Sequence, residues 1–371
     1  MMKKVVSLTL ALCLALSLSV SALAADNSME NFKKTATYSN QFTDVESTYW
    51  AAPSVKTCYE YGFMKGATAT TFSPKGDLTV AEAIVMADRL HEIYTTGEST
   101  LVNGTPWYQP YVDYAVKNGI VAAGDFTDYT AKATRAQMAY IFCNALPESV
   151  LPAVNKDQTI PDVTSTTTYA KSIQTLYAAG VLTGSDVYGT FHPNNNIIRA
   201  EAATILARMA LPTQRKTVVL LKQVTYGTSG IVLAVPQTAV ESTSGSVYMI
   251  LSEEDTSGAI VNSLQDAAYK GVSISVLPES TMNATLVESF TASGMTLSQT
   301  KSSLVTFGAI KAYRTTGNLS DSEGSADCVI YTYISGDQMY LIALLAHEND
   351  AALQNMANNL QVSGVTVSPK L

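Results

Sequence analysis

Three similar segments follow one another in the first half of the chain, and this repetition limits the folds that are open to it. The first begins FTDVESTYW and continues to MADRL, the second begins PWYQPYVDY and continues to FCNAL, and the third begins IPDVTSTTT and continues to LARMA. When the segments are aligned on Gly62, Gly119 and Gly180, their offsets are 57 and 61 residues. A unit of this size cannot bury a core alone, so the three units must pack against one another.

Each unit reads as a helix, a glycine that stops it, a loop and a second helix. The second helix begins at Thr79 in the first unit and at Thr134 in the second, and Glu82 or Gln137 follows three residues later. This spacing predicts a capping box, in which the threonine hydroxyl and the Glu or Gln side chain each accept a backbone N–H. Ile198 takes the threonine position in the third unit, so that helix must be capped differently.

Two of the second helices carry an arginine in their first turn, Arg135 and Arg199. A cation there opposes the helix dipole at a cost of roughly 0.3–1 kcal/mol when it is exposed. Together with the free amides of a helix N-terminus, an arginine would form an anion-binding corner. The alternative is an ion pair with an acid of a neighbouring repeat, such as Asp44 or Asp162. The residues alone leave both interpretations open.

In their order along the chain, these motifs resemble three S-layer homology repeats over roughly residues 40–212. The resemblance rests on FTDV, YGFMKG, TFSP and LTVAE in the first unit, on WY, NGIV and ATRAQ in the second, and on IPDV, AGVLTG and GTFHPNNNIIRAE in the third. It implies an all-α, pseudo-threefold prism of helices. It also implies non-covalent anchoring of an exported protein to secondary cell-wall polysaccharide, often bearing ketal-linked pyruvate.

The same resemblance implies which side chains bind the polysaccharide, from the Thr-Arg-Ala-Glu element, the Phe-x-Asp-Val element and an aromatic position. These residues are Asp44, Trp50, Trp107, Gln137, Arg135, Asp162, Arg199 and Glu201. Aromatic faces suit the apolar C–H surfaces of sugars, although Trp50 could equally belong to a core. Val80 replaces the arginine in the first unit, and Tyr169 holds the aromatic position in the third. We therefore expect at most two fully equipped grooves.

The N-terminus has the pattern of a secretory signal peptide over residues 1–24. Lys3 and Lys4 form a charged start, residues 5–20 are almost wholly apolar, and Ala22-Leu23-Ala24 fits a cleavage site. No later apolar stretch is long enough to span a bilayer. We therefore expect an exported protein located at the cell wall, with no membrane-spanning segment after cleavage.

Charge and cysteine content exclude several classes of protein. The chain carries 23 basic and 31 acidic side chains, a net charge of −8, which argues against nucleic acid as a partner. Outside the signal peptide it has three scattered cysteines, Cys58, Cys143 and Cys328, too few for a disulfide scaffold. Its three histidines show no metal-ligand spacing. We predict no metal and no cofactor.

Past residue 212 the pattern changes to strands mixed with helices, which predicts an α+β domain over residues 215–371. The predicted strands are 217–224, 230–236, 247–252, 272–278, 303–316, 326–335, 338–346 and 360–367, and the predicted helices are 259–271, 281–293 and 349–359. The strand at 338–346 is fully apolar and should be central in its sheet. The final hairpin and helix resemble small secreted lipoprotein domains, which implies an α-β-α sandwich, with a mostly antiparallel sheet, like that of photosystem II extrinsic subunits.

The predicted organisation is a multidomain chain with a signal peptide at 1–24, repeats at 40–95, 96–150 and 155–212, and the α+β domain at 215–371. No catalytic motif such as G-x-S-x-G or H-E-x-x-H occurs. The main hypothesis is therefore a non-enzymatic surface protein whose repeats hold polysaccharide while the last domain binds or displays an unknown partner. The competing hypothesis is a wall-tethered envelope hydrolase with its active site in 215–371.

Overall fold

The structure is a computed structural model, and it describes residues 28–155, 158–244, 247–252, 257–322, 324–346 and 350–366. The predicted signal peptide and His347 lie outside these ranges. The chain divides into two compact units. The first contains most of the residues up to Thr217, and the second contains the residues from Val218 onward together with the short segments 157–161 and 184–190. Within the described residues, no helix combines the length and the hydropathy needed to cross a membrane.

The described part of the first unit contains two α-helices in each repeat. They are α1 (Ala52–Glu60), α2 (Val80–Thr96), α3 (Gln109–Lys117), α4 (Arg135–Cys143), α5 (Ala170–Ala178) and α6 (Arg199–Ala210). The predicted pattern of helix, glycine, loop and helix is confirmed. Gly62, Gly119 and Gly180 follow the C-caps of α1, α3 and α5 with φ angles of 77°, 72° and 69°, a backbone that glycine adopts at little cost.

Both predicted capping boxes are present. The Thr79 hydroxyl accepts the Glu82 N–H at 3.2 Å while the Glu82 carboxylate accepts the Thr79 N–H at 2.8 Å. Thr134 and Gln137 repeat this arrangement at 3.2 and 2.8 Å. Ile198 has no side-chain acceptor, so α6 keeps only half of the box, in which its backbone N–H donates to Glu201 at 3.1 Å.

A closed ring of three backbone hydrogen bonds joins the repeats at Leu78, Ala133 and Ile197, which lie immediately before the N-caps of the second helices. Leu78 donates to the Ile197 carbonyl at 3.0 Å, Ile197 donates to Ala133 at 3.0 Å, and Ala133 donates back to Leu78 at 2.8 Å. All three residues are fully buried. Each repeat therefore donates to one of the other two and accepts from the third.

Helix packing follows the same cyclic order. The first helix of each repeat packs against the second helix of the repeat before it, with the third repeat counted as preceding the first. The pairs are α3 against α2, α5 against α4, and α1 against α6. Buried aromatic side chains, among them Phe63, Phe72, Phe142, Tyr177 and Phe191, fill the interior of this unit. The packing of the three repeats therefore closes on itself.

The second unit is built on two antiparallel sheets. Its strands are β1 (Leu221–Tyr226), β2 (Ile231–Pro236), β3 (Val240–Ser244), β4 (Val247–Leu251), β5 (Gly258–Gln265), β6 (Thr296–Phe307), β7 (Ile310–Ser320), β8 (Ser325–Ser335), β9 (Gln338–Ala346), β10 (Gln361–Val362) and β11 (Val365–Thr366). The orders are β1-β2-β10-β11 and β3-β4-β5-β9-β8-β7-β6. The apolar strand β9 is fourth of seven, which confirms its predicted central place. A helical first half followed by a sheet-rich second half is confirmed as well.

The seven-stranded sheet has a hydrophobic cluster on each face. On one face, α7 (Glu279–Ala292) contributes Met282, Leu286 and Phe290. On the other, α8 (Asp350–Asn359) and the smaller sheet contribute Leu353, Met356 and residues of β2 and β10. Alternate residues of each strand therefore face different layers, so the central strands are buried on both faces.

Two predictions for the second half are wrong. Residues 259–271, predicted as a helix, form β5 and a short 3₁₀ turn at Ala267–Tyr269. The segment is held between β4 and β9, and tertiary pairing overrides its apolar spacing. Residues 272–278, predicted as a strand, contain a 3₁₀ turn at Ile274–Val276, where the Ser273 hydroxyl accepts the Ser275 N–H at 3.4 Å.

The predicted number of strands is also lower than the number in the described residues. Residues 303–316 contain a hairpin between β6 and β7 that turns at Gly308, which has a φ of 58°. Gly317 lies inside β7, although the predicted strand ended at residue 316, and it is beside the register shift between Ser298 and Lys301. A Cβ at Gly317 would meet the Ser298 carbonyl oxygen at 2.9 Å, so the close approach explains the glycine. The strand β3 was not predicted, and β1 begins four residues later than predicted.

An unpaired acid is buried in the first unit. Asp88 on α2 is fully buried, and neither carboxylate oxygen has a hydrogen-bond partner within the described residues. Burial, and secondarily the nearby charge of Glu92, raises the pKa of Asp88 to about 9. The folded state therefore keeps Asp88 protonated up to a pH at which an unfolded aspartate, with a pKa near 3.9, is fully ionised.

Asp88→Asn should remove a pH dependence of stability. Because the folded state binds a proton that the unfolded state releases, the free energy of unfolding of the native chain falls as pH rises from about 4 to about 9, by at most about 1.4 kcal/mol per pH unit. The free energy of unfolding of Asp88→Asn, relative to that of the native chain, should therefore rise over this pH range and level off above it. Urea titrations followed by tryptophan fluorescence report the first unit, since both tryptophans, Trp50 and Trp107, lie there.

The matched control is Asp113→Asn, which changes an exposed aspartate of the same unit. It measures, at each pH, the effect of removing an aspartate charge from an exposed position. If the free energies of unfolding of Asp88→Asn and the native chain change equally with pH between pH 5 and 8, the assignment of a neutral Asp88 is wrong.

Candidate functional site

Arg135 starts α4 and is held by the third repeat. It is only 9% exposed, its Nε donates to the Phe191 carbonyl at 2.7 Å, and its guanidinium lies 4.9 Å from the centre of the Phe191 ring. Its Nη1 forms an ion pair with Glu201 at 2.5 Å. The partner acid is thus Glu201, and neither Asp44 nor Asp162 pairs with this arginine.

Arg199 starts α6 and repeats the same arrangement on the loop of the first repeat. Its Nε donates to the Phe72 carbonyl at 2.7 Å, its Nη2 donates to the Lys65 carbonyl at 2.9 Å, and its guanidinium lies 4.8 Å from the Phe72 ring. Burial lowers the pKa of Arg199, while Glu82 and Asp44 oppose that shift. In contrast to Arg135, Arg199 forms no ion pair with any acid among the described residues.

The two aspartates hold the same loops from the other side. Asp44 accepts the backbone N–H groups of Phe72 and Ser73 at 2.8 and 2.7 Å. Asp162 accepts those of Phe191 and His192 at 2.8 and 2.6 Å. In each loop the phenylalanine therefore gives its N–H to the aspartate and its carbonyl to the arginine, which fixes the loop between two opposite charges.

The first amides of the second helices do not point into solvent. Arg135 N–H donates to the Asn195 carbonyl at 2.8 Å, and Arg199 N–H donates to the Gly76 carbonyl at 2.9 Å. The next residue of each helix, Ala136 or Ala200, donates to a proline carbonyl of the same loop at 3.0 Å. The expectation of an anion corner made partly by free helix amides is therefore wrong. The first two amides of α4 and of α6 therefore have protein acceptors, and the anion-binding groups that stand out at these positions are the arginine side chains.

A cavity of about 250 Å³ lies beside Arg199 and is lined by residues of all three repeats. Lys65, Glu82 and Arg89 come from the first repeat, Trp107 from the second and Arg199 from the third. Three cations here face one carboxylate, and Glu82 is already engaged in its capping box. With Trp107 41% exposed, the cavity offers positive charge beside an aromatic face. This combination suits an anionic sugar.

The remaining predicted residues lie elsewhere. Trp50 is 57% exposed at the start of α1, which packs on α6, and it contacts Tyr49 with ring centres 5.7 Å apart. Gln137 serves the cap of α4, and Glu201 serves both α6 and Arg135. The structure therefore brings Arg199 and Trp107 together at one cavity and Arg135 and Glu201 together in one ion pair.

Lys65 and Arg89, which line the Arg199 cavity, and a stacked tyrosine pair are not among the predicted site residues. Arg89 follows Glu82 by seven residues, two turns along one helix face, so its place beside the site could have been inferred from the spacing. The pair is Tyr140 and Tyr169, whose rings stack with centres 4.4 Å apart at 12°. The Tyr140 hydroxyl also donates to Asp125 at 2.6 Å. No local pattern predicts this contact between two repeats.

A second cavity of about 260 Å³ lies beside Cys143, lined among others by Glu148 and Lys171. Burial raises the pKa of the Cys143 thiol, which therefore stays protonated at neutral pH. Cys58 and Cys328 are buried, and all three cysteines are free. These thiols behave as small apolar groups.

Comparison with known proteins identifies two of the three repeats. The model of the S-layer homology domain matches residues 41–84 and 159–203, which lie in the first and third repeats. Domains of this family bind cell-wall polysaccharide. The matched ranges contain Asp44, Trp50, Asp162, Arg199 and Glu201.

Two relatives share part of this sequence. An endoglucanase of Bacillus sp. (strain KSM-635) is 29% identical over 175 residues, which cover 45% of this chain and 18% of that protein. The surface-layer 125 kDa protein of Lysinibacillus sphaericus is 26% identical over 129 residues, which cover 32% of this chain and 11% of that protein. The matches thus span less than a fifth of the length of either relative.

Two solved structures share weaker similarity. Cyanobacterial PsbP from Synechocystis sp. PCC 6803 superposes with a TM-score of 0.31 at 9% identity, covering 38% of this chain and 92% of that one. A protein from Bacteroides thetaiotaomicron VPI-5482 gives 0.26 at 11% identity, covering 40% of this chain and 48% of that one. Neither carries a conclusion about function. From the family match and the surface-layer relative, the chain is a cell-surface protein that contains S-layer homology domains.

Proposed function

We propose that the first unit anchors the protein non-covalently to secondary cell-wall polysaccharide by binding an anionic substituent, such as ketal-linked pyruvate, beside Arg199. The observation that carries this proposal is the cavity in which Arg199, Lys65 and Arg89 meet the exposed face of Trp107. A guanidinium fork matches a carboxylate, and an indole face matches the apolar side of a sugar ring. The second unit then binds or displays a partner at the wall.

The two arginines do not offer the same site. Arg135 is neutralised by Glu201 and almost fully buried, so an anion would have to displace that carboxylate. Arg199 has no acid partner among the described residues and lines an open cavity. We therefore assign Arg199 to the principal groove and Arg135, with Trp50 on the neighbouring helix, to a secondary one. Asp44, Asp162 and Gln137 shape these grooves through the loops and caps they hold.

The third position related by the repeat has no arginine. Val80 stands in its place and is buried, and the aromatic position holds Tyr169, which stacks on Tyr140. The aromatic surface is thus covered by the protein's own side chain. This supports the expectation of at most two equipped grooves.

We also propose that the repeats, at 40–95, 96–150 and 155–212, form the pseudo-threefold helical prism of the family. The ring through Leu78, Ala133 and Ile197 supports this arrangement, as does the cyclic packing of first helices on second helices. The boundary near residue 215 is proposed as the start of the domain that carries the unknown partner.

Arg199→Met should weaken binding of the chain to wall sacculi by roughly ten- to a hundredfold, since a hydrogen bond to a charged group contributes about 1.5–3 kcal/mol. Because Arg199 also holds the Phe72 loop, Trp107→Ala provides a second test that leaves the loop bonds intact. Arg135→Met should weaken binding less. Co-sedimentation with purified sacculi over a range of protein concentrations measures each dissociation constant.

The matched control is Lys171→Met, which removes a cation of the same unit outside the Arg199 cavity. It should bind as the native chain does. If Arg199→Met and Trp107→Ala both bind like the native chain while remaining folded by circular dichroism, the assignment of the principal groove is wrong.

Binding should also depend on the polymer's own charge. Sacculi from which the secondary polysaccharide has been extracted, or whose pyruvate ketals have been removed by mild acid, should no longer sediment the native chain, because the guanidinium loses its anionic partner. Sacculi treated in the same way and then re-supplied with untreated polysaccharide serve as the control. Undiminished sedimentation with stripped walls would refute anchoring through this polymer.

A second candidate function is an envelope hydrolase with its active site in residues 215–371. The partial match to an endoglucanase, over 45% of this chain and 18% of that protein, is the observation that favours an enzymatic activity. Incubation of the full chain with carboxymethyl cellulose or purified wall, followed by an assay for reducing ends, separates the two functions. An anchoring protein releases no more than the heat-denatured chain, whereas release that scales with protein concentration would establish the hydrolase.

A further inference from the structure

One arginine of the second unit differs from every other arginine in the chain. Arg314 lies on β7, directly opposite Ser303 of β6 and Tyr331 of β8. Residues opposite one another across antiparallel strands face the same side of a sheet, so Tyr331 and Arg314 share the face that α8 and the smaller sheet cover. Arg314 is 8% exposed and Tyr331 is fully buried.

Arg314 has buried donors without acceptors. Its Nε and Nη2 are both buried and make no hydrogen bond within the described residues, and the same holds for the Tyr331 hydroxyl. Each of the other five arginines donates to at least one backbone carbonyl: Arg89, Arg135, Arg199, Arg208 and Arg215. No acid among the described residues pairs with Arg314.

Such a group is costly to bury alone. A guanidinium cannot lose its proton in a protein, so it cannot escape burial by becoming neutral. An uncompensated buried charge destabilises a fold by several kcal/mol, and each unmet donor adds to the cost. An anion that supplies acceptors to the guanidinium would remove both penalties.

The positions of the two Arg314 nitrogens without acceptors indicate which kind of anion would fit. Nε and Nη2 lie on one edge of the planar guanidinium, the edge that binds the two oxygens of a carboxylate in parallel. Burial raises the pKa of Tyr331, while the charge of Arg314 and a polar contact with its side chain lower it. The hydroxyl therefore lies close to the guanidinium and stays protonated at neutral pH. On the other neighbouring strand, the residue opposite Arg314 is Ser303, which is exposed on the edge strand β6.

We propose that the second unit binds a carboxylate at Arg314, with Nε and Nη2 donating to its two oxygens and the Tyr331 hydroxyl donating a third hydrogen bond. The site is independent of the polysaccharide groove, since every residue in it belongs to the second unit. The carboxylate belongs either to a free small acid or to a uronic acid within a glycan. These two sources share the chemistry that the site recognises.

The test follows the arginine Nε–H resonances of the full chain, without its predicted signal peptide, by ¹H–¹⁵N spectroscopy. Acetate and glucuronate are titrated separately against sodium HEPES at matched ionic strength, because the bulky sulfonate controls for general salt effects. Because Arg199 is proposed to bind a carboxylate as well, the titrations use Arg199→Met as the starting chain. We expect a saturable shift of one Nε–H resonance in Arg199→Met that is absent in the Arg199→Met/Arg314→Met double variant. Tyr331→Phe should weaken the apparent affinity roughly tenfold.

A response to acetate alone supports a free small acid, and a response to glucuronate supports a glycan-borne carboxylate. Should the double variant fail to fold, Arg199→Met and Arg199→Met/Tyr331→Phe still decide the question, since loss of one donor must change affinity. The proposal is overturned if neither carboxylate shifts any Nε–H resonance more than HEPES does. It is also overturned if the resonance that responds in Arg199→Met persists in a folded Arg199→Met/Arg314→Met double variant.

Discussion

The first unit depends on three backbone hydrogen bonds that close into a ring through Leu78, Ala133 and Ile197. Each of these buried residues donates its N–H to one other repeat, and its carbonyl accepts from the remaining repeat. None of the three second helices is therefore positioned by its own repeat alone. The loops around the ring extend the principle, because their carbonyls receive the first amides of helices from another repeat. What holds one helix-loop-helix unit in shape is therefore supplied by its neighbours, as expected for units too small to bury a core.

Within this frame the arginines act first on the protein itself. Arg135 and Arg199 each bind the carbonyl of a phenylalanine and stack on its ring, while an aspartate binds the N–H of the same residue. The guanidinium is thus oriented before any ligand arrives, which reduces the entropy lost on binding. A structural role and a ligand role are compatible here, because Arg199 donates to the first repeat through Nε and Nη2 and also lines the cavity.

The sequence was informative wherever a signal is local. The glycine stops, the capping boxes at Thr79 and Thr134, and the central apolar strand β9 were all predicted, because each depends on residues a few positions apart. It failed where long-range contacts decide. Residues 259–271 are a strand because β4 and β9 flank them, and the pairing of Arg135 with Glu201 joins residues 66 positions apart. The predicted anion site at the helix N-termini is wrong for the same reason, because the first helix amides donate to carbonyls of a loop that is distant in sequence.

The cavity at Arg199 takes Lys65 from the first repeat, Trp107 from the second and Arg199 from the third. No single repeat, and no pair of repeats, contains it. A chain that lost one repeat would therefore lose this cavity, even if the other two repeats folded. By the same geometry, a ligand bound in the cavity would contact all three repeats at once, and its binding free energy would stabilise their association.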